Sequence, residues 1–167
     1  MIQKKICMVG VAGTGKTCLV QRFVHSIFSP RYLSTVGVKI DRKPVTVAGQ
    51  PVTLLLWDLE GRDDQRDVST SYLRGAHGLI YVVDGTRPET FDQIFEIRTL
   101  VLRDVGEVPS VVAFNKADLA DQWRLPATAE KTVAERGSVP IRTSAKTGDG
   151  VEAMFQRLAD LVAGTGA

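Results

Sequence analysis

The segment Gly10-Val11-Ala12-Gly13-Thr14-Gly15-Lys16-Thr17 places three glycines, a lysine and a hydroxyl within eight consecutive residues. Glycines let a backbone turn so tightly that successive N–H groups converge on an anion. Lys16 adds a mobile positive charge and Thr17 a hydroxyl suited to a hard cation, the pattern of a phosphate-binding loop. Further along, Asp58-Leu59-Glu60-Gly61 ends an apolar run, with Asp58 able to hold Mg²⁺ through water and Gly61 able to offer its N–H to a terminal phosphate. Asn115-Lys116-Ala117-Asp118 ends another such run. A carboxylate at Asp118 can accept two hydrogen bonds from the N–H groups of guanine. Adenine would leave it unpaired, a difference worth about 10⁴-fold or more in sites of this kind. Ser144-Ala145-Lys146 is either a further wall of the base site or an ordinary solvent loop.

These groups need elements to carry them. Ile6–Val9 is a short apolar run that stops at Gly10, the signature of a buried strand, and a helix with Leu19, Val20 and Phe23 on one side starts near Lys16. Val36, Val38 and Ile40 alternate with polar residues, and a turn at Ala48-Gly49-Gln50 leads to a second strand from Val52 to Trp57, predicting an antiparallel hairpin. Leu79–Val83 and Val111–Phe114 suit central parallel strands, and Val139–Thr143 suits an edge. Thr86-Arg87-Pro88-Glu89 has the form of a capping box, after which Phe91, Ile94, Phe95, Val101, Leu102 and Val105 form an apolar stripe. Asp149 is placed to cap a last helix that buries Val151, Met154, Phe155, Leu158, Leu161 and Val162. Strands alternating with helices predict an α/β fold whose sheet is covered on both faces, with ligands beyond the carboxyl ends of the strands.

Composition narrows the class. A chain of 167 residues with 44% hydrophobic and 24% charged residues is expected to form one domain over 1–167. A net charge of +2 without any Lys/Arg block gives no case for nucleic-acid binding. The apolar runs are too short to span a bilayer, and the start lacks the layout of a secretory signal. Cys7 and Cys18 are too few for a disulfide framework and read as reduced thiols, so a cytoplasmic protein is expected.

Taken in order, the loop, Thr35, Asp58-x-x-Gly61, Asn115-Lys116-x-Asp118 and Ser144-Ala145-Lys146 resemble a small GTPase of the Ras superfamily over essentially the whole chain. Thr35-Val36-Gly37-Val38, Trp57-Asp58 and Tyr72-Leu73-Arg74-Gly75-Ala76 look most like the Rab branch. The resemblance implies a three-layer P-loop NTPase fold, with a mainly parallel six-stranded sheet, one antiparallel strand and helices on both faces. It implies GTP/GDP and Mg²⁺ as ligands. Nucleotide contacts would fall to Gly10, Ala12, Gly13, Thr14, Gly15, Lys16, Thr17, Cys18, Phe28, Thr35, Gly61, Asn115, Lys116, Asp118, Ser144, Ala145 and Lys146. Thr17, Thr35 and Asp58 would hold Mg²⁺, Thr35 only when the third phosphate is present. Phe28 would lie edge-on to guanine or simply pack. Lys16, Thr35, Gly61, Glu60 and Arg62 would form the catalytic set, and residues near 30–40 and 59–74 would meet effectors, exchange factors and activating factors. A monomeric domain is expected.

The chain departs from that family at one decisive position. Glutamine usually follows the Asp-x-x-Gly glycine and orients the attacking water, and here Arg62 stands in its place. Arginine accepts neither a proton nor a hydrogen bond, so slow intrinsic hydrolysis is expected, at or below roughly 10⁻⁴ s⁻¹. Either Glu60 positions the water, or Arg62 stabilises phosphate charge, or both belong to a solvated surface with Asp63, Asp64 and Arg66. Trp57 and Tyr72 stand where Rab proteins present aromatic side chains to partners, or Trp57 is core, and Ile40 replaces a usual aromatic. The tail Leu161–Ala167 has no cysteine to prenylate and Ile2 excludes myristoylation, so no direct membrane anchor is expected. Such a chain resembles the stand-alone small GTPases of bacteria and archaea, or a shortened longer one. Two other readings stay open: a GTP-loaded platform that does not hydrolyse, and a small-molecule kinase using ATP, which would need an arginine-bearing lid that the sequence does not display.

Overall fold

The computed structural model describes residues 2–29, 37–59 and 70–164. Six strands form one sheet: β1 (Ile2–Val9), β2 (Val38–Val47), β3 (Gln50–Leu59), β4 (Gly78–Asp84), β5 (Ser110–Asn115) and β6 (Val139–Arg142). Their order across the sheet is β2-β3-β1-β4-β5-β6. Among the described residues only the β2–β3 pair is antiparallel, joined where Ala48 and Gly49 both take positive φ, and the other pairings are parallel. The α-helices among the described residues are α1 (Lys16–His25), α2 (Pro88–Asp104), α3 (Ala129–Glu135) and α4 (Val151–Gly164). The expected α/β sheet with one antiparallel strand is therefore what the chain forms.

Side chains that alternate along the strands divide the core in two. Ile6 and Met8 face one side with Leu54, Leu56, Ile80 and Val82, packed under Leu19 and Phe23 of α1 and Met154, Phe155 and Leu158 of α4. The Phe23 and Phe155 rings stack there, with centroids 4.1 Å apart. Cys7 and Val9 face the opposite side with Leu79, Tyr81 and Val83, beneath Ile94, Ile97 and Val101 of α2 and Val133 of α3. Three layers result, with α1 and α4 on one face of the sheet and α2 and α3 on the other.

Local departures from the sequence reading have identifiable causes. β1 begins at Ile2 rather than Ile6, because Ile2–Met8 pairs in register with Val52–Asp58. Lys4 and Lys5 join it despite their charge, and the Lys5 ammonium lies 3.8 Å from the centre of the Trp57 ring. The capping box does not form. α2 begins at Pro88, and the Thr86 hydroxyl donates to Asp84 Oδ1 at 2.7 Å rather than accepting a helix N–H. Thr90 closes the turn in its place, donating to the Arg87 carbonyl at 2.7 Å. On α2, Ile97 is buried while Leu102 is 43% exposed, so the stripe runs along the 90/94/97/101 positions. Leu102 is a correction to the expected core. Before α4, Gly150 stands between Asp149 and the first helical residue, its α carbon set close against the Arg142 carbonyl. The Asp149 backbone is used elsewhere, receiving the Ser144 N–H. Helix α3 has no counterpart in the sequence reading, since its seven residues contribute only Ala129 and Val133 to the core. Val36 lies outside the described residues.

The stripe correction has a direct consequence. Ile97→Ala should lower unfolding free energy in urea by about 2–5 kcal/mol. Leu102→Ala should stay within about 0.5 kcal/mol of the parent, as exposed positions do.

Candidate functional site

Strand ends place the chemistry. β1 delivers residues 10–15, β3 delivers Asp58, β4 delivers Asp84, β5 delivers Asn115 to Asp118 and β6 leads to Ser144. All lie at the carboxyl edge of the parallel strands, where α/β sheets bind their ligands.

Every carbonyl of the loop from Gly10 to Gly15 has a donor. Lys16 Nζ donates to Gly10 O at 2.9 Å and Val11 O at 3.0 Å, and Thr14 Oγ1 also donates to Val11 O at 3.1 Å. Arg87 Nη1 donates to Ala12 O at 3.0 Å, Lys116 Nζ to Gly13 O at 3.0 Å, and Asn115 Nδ2 to Thr14 O at 3.0 Å. Gly15 O takes the Leu19 N–H at 2.9 Å, the first turn of α1. A trans peptide sets each N–H opposite the preceding C=O. Carbonyls held by α1, by Arg87 and by the β5 loop therefore turn the N–H groups of Val11 to Lys16 the other way. That concave set of donors, continued by the N-terminus of α1, is the electrostatic form of an anion site.

Gly15 is required by this arrangement. Its φ is +103°, and a Cβ there would sit 2.2 Å from Asn115 Nδ2. Lys16 is 6% exposed, and burial pulls its ammonium down to about 8, an effect that the nearby Asp58 carboxylate partly offsets. Thr17 Oγ1 donates to Asp58 Oδ2 at 2.6 Å, with Asp58 buried. Two oxygen ligands of the kind Mg²⁺ prefers thus meet beside the loop, so the residues present fit that ion. The Cys18 thiol is half-buried and pushed up by burial, the Lys116 ammonium opposing this and the Asp58 carboxylate reinforcing it.

The β5 loop is braced from two sides. Thr143 Oγ1 donates to Asn115 Oδ1 at 3.1 Å, which fixes the amide so that its nitrogen faces Thr14. Lys116 has a positive φ of 68° and its ammonium reaches Asp84 Oδ2 at 2.8 Å. Asp118 is exposed, and Ser144 Oγ donates to its Oδ1 at 2.8 Å. Arg22 of α1 donates to the carbonyls of both Ala145 and Lys146, so the Ser144-Ala145-Lys146 loop is tied to the same helix as the phosphate loop. Phe28 is half-buried and packs against the α1/α4 core.

Thr35, Glu60, Gly61 and Arg62 lie outside the described residues, as do Asp63, Asp64 and Arg66. Of the aromatic positions, Trp57 is half-buried against the α2 side of the core, with Ile40 directly across from it in the β2–β3 register. Ile40 and Tyr72 are 50% and 45% exposed. Sequence reasoning missed Asp84, Thr90, Arg87, Arg22 and Trp123. Asp84 ends an apolar strand just as Asp58 and Asn115 do, so the same signal was there to be read. The Trp123 ring occupies the space over Gly85, where a Cβ would meet it at 1.9 Å. Only the fold brings those two together.

Asp84 is fully buried and serves Lys116 through one oxygen and Thr86 through the other. Asp84→Ala should cost about 3 kcal/mol in urea unfolding, because charged hydrogen bonds are lost and the Lys116 ammonium is left without a counter-charge.

A model of the Ras family matches residues 5–163. The Ras-related protein SEC4 of Saccharomyces cerevisiae is 35% identical over 159 residues, covering 95% of this chain and 74% of that protein. The Ras-related protein RIC1 of Oryza sativa subsp. japonica is 34% identical over 157 residues, covering 93% and 78%. The Ras-related protein Rab-1 of Theileria parva is 36% identical over 158 residues, covering 93% and 72%. Family proteins of this kind bind GTP/GDP with Mg²⁺, hydrolyse GTP and meet effectors and regulators. On sequence, sheet topology and the strand-end constellation together, the chain belongs to the Ras family and is a Rab-like small GTPase.

Proposed function

We propose that the chain works as one unit, a GTP/GDP switch whose own hydrolysis is slow and is completed with a partner's help. The observation that carries the binding half is the anchoring of all six loop carbonyls, Gly10 to Gly15, three of them by Arg87, Lys116 and Asn115 from other loops, with Lys16 buried against the first two. In this reading the N–H groups and Lys16 take the outer phosphates, and a phosphate would stabilise the charge that burial makes costly on Lys16. Cys18 lies along the same helix start. Thr17 and Asp58 hold Mg²⁺, joined by Thr35 in the GTP state. Bound there, the ion neutralises phosphate charge. Asp118, oriented by Ser144, takes the guanine N–H pair. Phe28 and the Ala145-Lys146 segment flank the base.

The slow half of the proposal rests on Arg62, with Gly61 and Glu60 beside it. Arg62 equally favours a second reading, a GTP-loaded platform that never turns over. Segments near 30–40 and 59–74, with Ile40, Trp57 and Tyr72 at their margins, are the proposed surface for effectors, exchange factors and activating factors. The free thiols of Cys7 and Cys18 suit a reducing compartment such as the cytoplasm.

Single-turnover hydrolysis with purified protein and [γ-³²P]GTP should run at or below roughly 10⁻⁴ s⁻¹. A much faster rate contradicts the role assigned to Arg62, and none with any partner favours the platform. Asp118→Asn exchanges an acceptor for a mixed donor–acceptor group. It should weaken GDP binding by about 10²-fold or more and favour xanthosine diphosphate, read by competition titration.

A further inference from the structure

We propose that Arg87 is a positioning residue of the phosphate loop, one that fixes the Gly13 N–H for the outer phosphates. The inference rests on the phosphate-site reading and adds to it a residue from a different loop.

The loop's six carbonyls draw on three kinds of donor. Gly10, Val11 and Gly15 are served from within the loop and its own helix, and Gly13 and Thr14 by Lys116 and Asn115 of the β5 loop. Ala12 depends on neither. Its carbonyl receives Arg87 Nη1 at 3.0 Å, across 75 positions of sequence. Because the Ala12–Gly13 peptide is planar and trans, holding that oxygen sets the Gly13 N–H on the opposite side, next to the N–H groups of Thr14 and Gly15. Without Arg87 this is the one peptide between residues 10 and 15 that could rotate without its carbonyl giving up a bond to the loop, to α1 or to the β5 loop.

Arg87 is itself well placed to hold it. Its N–H donates to Asp84 O at 3.0 Å, and its own carbonyl receives the Thr90 hydroxyl, so the backbone is fixed where β4 turns into α2. Its Nε donates to Glu89 Oε1 at 3.2 Å, which orients the guanidinium plane from its other edge. The side chain remains 37% exposed, so the arginine can be altered with little loss of packing.

The test compares GDP and GMP by calorimetric titration on the parent chain, Arg87→Ala and Arg87→Lys, with a urea midpoint on each variant to establish folding. Arg87→Ala should weaken GDP about tenfold, the worth of one well-placed hydrogen bond. GMP, which lacks the outer phosphate, should change less than about twofold, and Arg87→Lys should recover most of the GDP affinity. Equal GDP affinity in the parent and Arg87→Ala overturns the inference, as does an equal loss of GDP and GMP, which would mean general loosening. Unchanged GDP binding with slower hydrolysis also overturns it, since Arg87 would then act on the reacting phosphate. A parent chain that binds no GDP removes the phosphate-site reading itself, and the inference with it.

Discussion

The N–H groups of residues 11–16 can face one way only because the carbonyls of residues 10–15 are held. A peptide cannot rotate its two polar groups independently, so orienting the oxygens orients the nitrogens. In this chain the oxygens are held by α1, by the β4–α2 turn and by the β5 loop. The concavity is therefore a property of the sheet edge rather than of the glycine-rich segment alone. Any change that shifts β4 or β5 relative to β1 reaches the loop through Arg87, Lys116 or Asn115.

That dependence explains why buried polar groups gather where they do. Asp58, Asp84, Asn115 and Thr143 are each under 3% exposed, a costly placement for groups that would otherwise be hydrated. Asn115, Asp84 and Thr143 spend their hydrogen-bonding capacity on one another's loops, through Thr14, Lys116 and Asn115 respectively. Such networks are rigid when fully satisfied, which suits a surface that must bind without reorganising. Gly15 marks the tightest point, since any side chain there would enter the space of the Asn115 amide.

Much of this was legible before any coordinates. Apolar runs placed the parallel strands β1, β3, β4 and β5, because continuous burial leaves a plain hydrophobic trace, whereas β2 showed only as alternation and β6 only as an edge. Motifs that follow those runs placed the loop, Asp58, Asn115–Asp118 and Ser144 at one edge. What the linear order concealed was pairing at long range, such as Arg87 with Ala12 or Arg22 with Ala145. Thr86 shows the reverse failure. Its spacing to Glu89 satisfied a local rule, yet the buried Asp84 carboxylate two residues back is a stronger acceptor for its hydroxyl than a helix end is a donor. Leu102 against Ile97 shows the limit of an apolar stripe, which names a helix but not the edge at which its face turns to water. α3 left no strong trace because its seven residues bury only two side chains.

The amide protons of the loop report its orientation without intermediaries. In ¹H–¹⁵N correlation spectra of the nucleotide-free chain titrated with GDP and Mg²⁺, the Gly13, Thr14, Gly15 and Lys16 resonances should move strongly downfield together. N–H groups already aimed at one point gain charged acceptors at the same step. If those four resonances stay in place while others in the chain respond, the loop does not hold the phosphates, and the anchoring of its carbonyls has no part in binding.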